Sequence, residues 1–153
     1  MIIDSVEIIP YEISFAVPLK TSTRTIYDHN GFLIKITGNG FTGFGEAAPL
    51  PGFSPDTISD CHDCLLKFRD ETGRNGYEQS FEDLVRNMDS SCQSSPAARF
   101  GIETAVVDLF SKTENKSFSY FLSPISFTSI SINGLYRRGY KPPDGISITK
   151  IKV

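Results

Sequence analysis

The sequence has no tryptophan, few cysteines and no excess of positive charge, and each absence argues against a class of protein. Its 15 Lys and Arg residues face 18 Asp and Glu, and the net charge of -3 argues against nucleic-acid binding. No run reaches the roughly 18 apolar residues of a membrane-spanning helix, and the acidic start does not resemble a signal peptide. Three cysteines are typical of a reducing compartment. We therefore expect a cytoplasmic protein that binds neither nucleic acid nor membrane.

Length and pattern predict an α+β fold that begins with an antiparallel three-strand meander. Segments 2–13, 31–37 and 41–46 are rich in β-branched and aromatic residues, as strands are. Gly38-Asn39-Gly40 supplies the positive φ of a tight hairpin turn between the last two strands. Segment 16–30 is polar and too long for a simple turn, so we expect a mobile loop there.

Three segments after the meander carry helix start signals. Ser54-Pro55-Asp56 combines an N-cap hydroxyl, a proline at the first helical position and an acid, which predicts a helix over 54–73. A serine three residues before an acid predicts a second helix over 80–88. Ser95-Pro96 repeats the strong signal and predicts a third helix from residue 96 to about 112. These helices should pack on the meander.

The segment 43–54 packs glycine and proline just after a strand, and two interpretations of it stay open. It is either a rigid turn or a preorganised loop on which a substrate rests. Glu46 in this segment could be an acid or base, or it could cap a turn or pair with a cation. Cys61-His62-Asp63-Cys64 has the spacing of metal ligands. A structural zinc site needs four ligands, however, and the only other cysteine, Cys92, is not part of a second pair, so buried thiols are favoured over zinc.

Two further strands are predicted over 129–136 and 146–153, and the second contains Lys150 and Lys152. Residues two apart in a strand point to one face, so the two ammonium groups should lie close together. Like charges at short distance lower the pKa of one lysine toward the range of a general base. The alternative is a strand face with two solvated lysines.

Several of these segments together resemble the o-succinylbenzoate synthases of the enolase superfamily. GFGEAAPLPGFSPDT (43–57) is similar to that family's Gly-x-Gly-Glu-x-x-Pro-Leu-Pro-Gly-Phe-Ser loop. Segments 18–25, 94–110 and 129–135 and the Lys150-Ile151-Lys152 motif follow in the family's order. The resemblance implies an N-terminal α+β capping domain over residues 1–128. Residues 129–153 would be the first strands of a truncated (β/α) barrel, whose unpaired edges favour self-association.

The resemblance also implies site residues. Two loops of the cap would cover a small-molecule carboxylate substrate, and Lys152 would be the proton-transfer base with Lys150 assisting electrostatically. Mg²⁺ is implied for the family, with ligands that this chain lacks. The implied substrate-binding residues are Thr21, Ser22, Thr23 and Arg24 in one loop and Pro51, Gly52, Phe53 and Ser54 in the other.

The implied reaction is the dehydration of 2-succinyl-6-hydroxy-2,4-cyclohexadiene-1-carboxylate to o-succinylbenzoate in menaquinone biosynthesis. The enzyme would be a carbon-oxygen lyase, and this chain, which carries only the cap and one catalytic strand, is expected to be inactive alone. One alternative is a non-catalytic fragment or small-ligand-binding module. Another is a racemase or epimerase of the same superfamily.

Overall fold

The computed structural model describes residues 1–21, 24–73, 78–125 and 129, and the backbone of residues 133–135 and 148–150. No helix within this described part is long and apolar enough to cross a membrane. The strands are β1 Ile3–Lys20, β2 Thr25–Gly38, β3 Phe41–Ala47, β4 Asn133–Leu135 and β5 Ile148–Lys150. The helices are α1 Ile58–Gly73, α2 Phe81–Ser91, α3 Pro96–Thr113 and α4 Phe118–Leu122.

The first three strands form an antiparallel sheet in the order β1-β2-β3, which confirms the predicted meander. Asn39 and Gly40 adopt φ values of 50° and 79° between β2 and β3, as a tight hairpin turn requires. The central strand places Ile34 and Ile36 on the inner face, fully buried under the helices. The α+β architecture predicted from the sequence is therefore present.

The expectation of a mobile loop over residues 16–30 is wrong. β1 continues to Lys20 and β2 begins at Thr25, so the segment forms the distal part of a β-hairpin, with Leu19 opposite Ile26. The register shifts between Ser14 and Leu19, where the hairpin is irregular. Polarity misled the prediction because a hairpin that extends beyond the core exposes most of its side chains and needs few apolar residues.

The three predicted helices are present, but the first begins later than predicted. α2 begins with a capping box between Ser80 and Asp83, and α3 begins with Ser95 as N-cap followed by proline, both as predicted. α1 begins at Ile58 instead of near Ser54. The Thr57 hydroxyl accepts from the Asp60 N–H at 3.1 Å, and the Asp60 carboxylate accepts from the Thr57 N–H at 3.0 Å. Thr57 therefore caps this helix.

The core lies between the inner face of the sheet and α3, and small residues bring the two backbones together. A Cβ on Gly45 would lie 1.9 Å from the Gly101 carbonyl oxygen, and one on Gly43 would lie 2.2 Å from that of Ala105. Contacts this short leave no room for a side chain. Glycine in β3 is therefore what allows α3 to cross directly on the strand.

The C-terminal strands β4 and β5 fall inside the two segments predicted as strands and pair in parallel, with Leu135 opposite Lys150. Only their backbone belongs to the described structure. A division of the chain near residue 128 stays a prediction.

Candidate functional site

The first predicted substrate loop lies between β1 and β2, and its two described residues, Thr21 and Arg24, are bonded to each other. The Thr21 N–H donates to the Arg24 carbonyl oxygen at 2.8 Å, and the Arg24 N–H donates to Thr21 Oγ1 at 3.1 Å. The Thr21 hydroxyl also donates to the Arg24 carbonyl oxygen at 3.0 Å, so these two residues are joined by three hydrogen bonds, two of them through the threonine side chain. Ser22 and Thr23, which lie between these residues, are outside the described residues.

The second predicted loop is a compact turn that follows β3. The N–H groups of Phe53 and Ser54 both donate to the Leu50 carbonyl oxygen, at 3.0 and 2.9 Å, and Ser54 Oγ accepts from the Leu50 N–H at 2.9 Å. Gly52 has a φ of +82°, which glycine adopts without strain. The Phe53 ring is 60% exposed. The rigid-turn interpretation is therefore correct locally, and the turn presents an aromatic ring outward.

The structure brings these two loops together through Arg24 and Gly52. A Cβ built on Gly52 would lie 2.7 Å from Arg24 Nη2 and 2.9 Å from its Cζ, so the guanidinium lies directly on the glycine. Arg24 forms no ion pair within the described part of the chain. The loops therefore meet at an arginine whose charge is not neutralised by any carboxylate of the described residues.

A cleft of about 390 Å³ lies between β2 and the segment that leads from the second loop into α1. Its polar lining includes Asp28, Asn30 and Asp56, and its apolar wall includes Ile58. None of the described lining residues is basic. Prolines complete the wall: Pro49, Pro51 and Pro55.

Asp56 lies on this cleft and holds the start of α3 in place. Its carboxylate oxygen Oδ2 accepts from the Ser95 hydroxyl at 2.5 Å and from the Ala97 N–H at 3.1 Å. The side chain is only 6% exposed, and Oδ1 has no hydrogen-bond partner among the described residues. The sequence pattern assigned Asp56 to the first turn of α1. No local signal could have shown that it caps a helix that begins 40 residues later.

Glu46 lies on the outer face of the sheet, where it is bonded to Tyr11. The Tyr11 hydroxyl donates to Glu46 Oε1. Burial, this hydrogen bond and the Glu46 charge raise the pKa of Tyr11 to about 12. Tyr11 was not among the residues predicted from the sequence, because only the strand register, which places it opposite Gly31, brings it to Glu46. The partner that the structure gives Glu46 is thus a phenol, whereas the sequence interpretation expected a cation or a turn cap.

The cysteine motif is not arranged as a metal site. Cys61, Cys64 and Cys92 are all free and buried, as expected of structural thiols. Burial raises the pKa of Cys61 to about 11 and that of Cys92 to about 12, so both stay protonated at neutral pH. His62 is exposed and its ring stacks on Phe32 at 5.1 Å. No three His, Cys, Asp or Glu residues in the described ranges are grouped to hold a metal ion.

The two candidate catalytic lysines lie at the C-terminal end. Lys150 is the last residue of β5. Lys152 is outside the described residues, so its position relative to Lys150 stays a prediction.

Comparison with known families identifies the chain. Residues 3–109 match the family model described as MenC, N-terminal domain. The chain belongs to this family. The resemblance to the capping domain of o-succinylbenzoate synthases is thereby confirmed.

Individual relatives agree with this family at the level of sequence and fold. A stretch of 30 residues is 57% identical to o-succinylbenzoate synthase from Vibrio cholerae serotype O1, covering 20% of this chain and 9% of that protein. A dipeptide epimerase from Enterococcus faecalis V583, complexed with Mg and the dipeptide L-Leu-L-Tyr, matches all of this chain and 46% of its own, with 20% identity and a TM-score of 0.77. An enolase-superfamily member from Roseovarius nubinhibens ISM matches 88% of this chain and 37% of its own, with 18% identity and a TM-score of 0.74.

The chain thus spans less than half the length of these solved structures. Their structural similarity supports the enolase-superfamily capping fold. Their low sequence identity does not distinguish a lyase from an epimerase.

Proposed function

We propose that this chain is the capping part of an o-succinylbenzoate synthase, the lyase that dehydrates 2-succinyl-6-hydroxy-2,4-cyclohexadiene-1-carboxylate. The observation that carries the proposal is the meeting of Arg24 and Gly52, which joins the two loops of a chain belonging to the MenC family. The sequence match to the Vibrio cholerae enzyme supports this reaction over others of the superfamily.

The chemistry of the joined loops suits a carboxylate substrate. The guanidinium of Arg24 is a planar donor that matches a carboxylate, and no described acid occupies it. The exposed ring of Phe53 can cover the apolar part of a substrate and exclude water. Arg24 would bind and orient the substrate, together with three neighbours in the first loop and three in the second: Thr21, Ser22, Thr23, Pro51, Gly52 and Ser54.

We assign the proton transfer to the predicted strand over residues 146–153, of which the structure describes β5. Lys152 would remove the proton as general base, and Lys150 would assist by its charge. A nearby ammonium disfavours a second positive charge, which keeps the base unprotonated more of the time.

Mg²⁺ is implied for the family, and one dipeptide epimerase of this fold is complexed with it. The described residues do not fit the ion, because no three potential ligands are grouped to hold it. Mg²⁺ therefore enters no step that we derive for this chain. The ligands in the assembled enzyme would have to come from a barrel.

A cap exchange tests the proposal. Residues 1–128 replace the corresponding cap of the Vibrio cholerae o-succinylbenzoate synthase, and the chimera is assayed for Mg²⁺-dependent dehydration. We expect turnover by the chimera, none by the chain alone and none by the capless barrel. The parent enzyme is the positive control, and circular dichroism verifies that each protein is folded.

The same exchange distinguishes the alternatives. If the cap instead restores activity to the barrel of the Enterococcus faecalis dipeptide epimerase, the racemase or epimerase interpretation replaces ours. Two folded chimeras without activity would favour a non-catalytic fragment.

A further inference from the structure

The turn around Gly52 has a fixed shape, but the bonds within it do not determine where it lies on the protein. Hydrogen bonds join Leu50 to Phe53 and Ser54, and these bonds lie within the turn itself. A cleft of about 390 Å³ separates the segment from β2, so the turn is not packed on that strand where the cleft lies. The position of the turn therefore depends on its contacts with other parts of the protein.

Asp56 joins the turn to α3. It lies two residues after Ser54, and its Oδ2 accepts from the Ser95 hydroxyl at 2.5 Å and from the Ala97 N–H at 3.1 Å. Asp56 is 6% exposed and Ser95 is fully buried. Hydrogen bonds to a carboxylate are stronger than those between neutral groups, and burial strengthens them further. The turn is therefore attached to a helix whose place the core fixes.

Arg24 contacts the same turn from the other side. A Cβ on Gly52 would lie 2.7 Å from Arg24 Nη2, so the guanidinium lies on the backbone of the turn. Because the turn is closed on the Leu50 carbonyl oxygen, Gly52 moves together with the residues that lead to Asp56. A displacement of the turn at Asp56 therefore also displaces the surface on which the guanidinium lies.

We propose that Asp56 is a positioning residue, which places Gly52 so that Arg24 is held in the orientation in which it binds the substrate. The inference rests on the proposed function for the role of Arg24, and it adds a residue that the substrate does not touch. A carboxylate at the start of α3 also stabilises that helix. Loss of stability lowers the amount of folded protein, whereas loss of positioning changes the geometry of the protein that is folded.

The first test reads the folded geometry in the 153-residue chain by NMR. The signals are the Gly52 amide and the side-chain Nε–H of Arg24. Asp56→Ala should shift both, and Asp56→Asn, which keeps an oxygen that can accept the two bonds, should shift them less. Asp63→Asn removes a carboxylate at an exposed position of α1 and should shift neither. Folded Asp56→Ala with both signals unchanged would overturn the proposal.

A second variant keeps this test decisive if Asp56→Ala fails to fold. Ser95→Ala removes the donor at 2.5 Å and leaves the bond from the Ala97 N–H. It should shift the same two signals in the same direction, by less than full loss of the carboxylate. Unchanged Gly52 and Arg24 signals in folded Ser95→Ala would contradict the proposal.

The second test measures kinetics in the cap-exchanged o-succinylbenzoate synthase described above. Asp56→Ala should raise KM at least about fivefold and change kcat less than about twofold, because substrate binding is impaired and proton transfer is not. In an Arg24→Ala background the same substitution should change KM less than about twofold, since two residues that act through one contact are not additive. Equal factors in both backgrounds would overturn the proposal. An inactive chimera would count against the proposed function instead, and the NMR comparison would then decide on Asp56.

Discussion

The hydroxyl of Tyr11 reaches across the middle strand of the sheet to donate a hydrogen bond to Glu46. The two residues belong to the outer strands β1 and β3, and Gly31 of β2 lies beneath the tyrosine ring. A Cβ on Gly31 would lie 2.5 Å from the Tyr11 oxygen and 2.7 Å from its Cζ. Because Gly31 has no side chain, the Tyr11 ring can cross β2 and join β1 to β3 by a hydrogen bond.

Gly31→Ala should destabilise the chain by about 2 kcal/mol, because the new methyl group overlaps the Tyr11 ring and lies 2.9 Å from the Ala47 carbonyl oxygen. Urea unfolding measures the change. In a Tyr11→Ala background the same substitution should be less costly, since only the backbone contact remains. An equal penalty in both backgrounds would show that the ring is not the obstacle.

The raised pKa of Tyr11 makes stability depend on alkaline pH. The unfolded pKa is 10.0 and the folded pKa about 12, so the folded state favours the protonated phenol. This contribution is fully present below pH 10 and is lost as the pH rises toward about 12. The change in unfolding free energy across this interval should be smaller in Tyr11→Phe. Parallel pH profiles for parent and variant would contradict the assignment.

Gly45→Ala should be among the most destabilising single substitutions, at about 3 kcal/mol or more, because its Cβ would overlap the backbone of α3 at Gly101. Backbone cannot rotate away as a side chain can. Gly73→Ala is the matched control, since a Cβ there meets no atom within 4 Å. Thermal unfolding of the two variants should differ widely, with Gly73→Ala neutral or more stable by up to about 1 kcal/mol.

The lysine assignment predicts unequal effects when the chain is joined to a barrel. Lys152→Ala should abolish dehydration with little change in substrate binding, since a proton-transfer group is lost and the binding contacts stay. Lys150→Ala should lower kcat less. Steady-state kinetics with a separate binding titration gives both quantities. Near-parental turnover of the Lys152 variant would contradict the assignment and favour the alternative, in which Lys150 and Lys152 are solvated lysines on a strand face.

Local signals predicted those parts of the fold that local chemistry determines. The hairpin turn at Asn39-Gly40 and the helix starts at Ser80 and Ser95 each depend on residues within a few positions of one another. The start of α1 was misplaced because Asp56 has its partners in α3. The capping box between Thr57 and Asp60 was an equally local signal, but Ser54-Pro55-Asp56 was preferred to it. Only tertiary structure shows that Asp56 binds the start of α3 instead.

In the candidate site, too, local features could be predicted from the sequence and tertiary contacts could not. The turn around Gly52 was recognisable from its glycines and prolines, because these residues fix backbone angles wherever they occur. The contact between Gly52 and Arg24 was not, since it depends on how far the hairpin extends beyond the core. A segment interpreted as a loop gave no position for Arg24.

Both ends of the segment that includes Gly52 and Phe53 are fastened to a single helix. Before it, Gly45 lies against Gly101 of α3, and after it, Asp56 holds the first turn of the same helix. Within it, the turn is closed on the Leu50 carbonyl oxygen. The segment is therefore already ordered before a ligand binds. If it closes over a ligand, it would move as a preformed unit between two fixed ends, so it would lose little conformational entropy on binding.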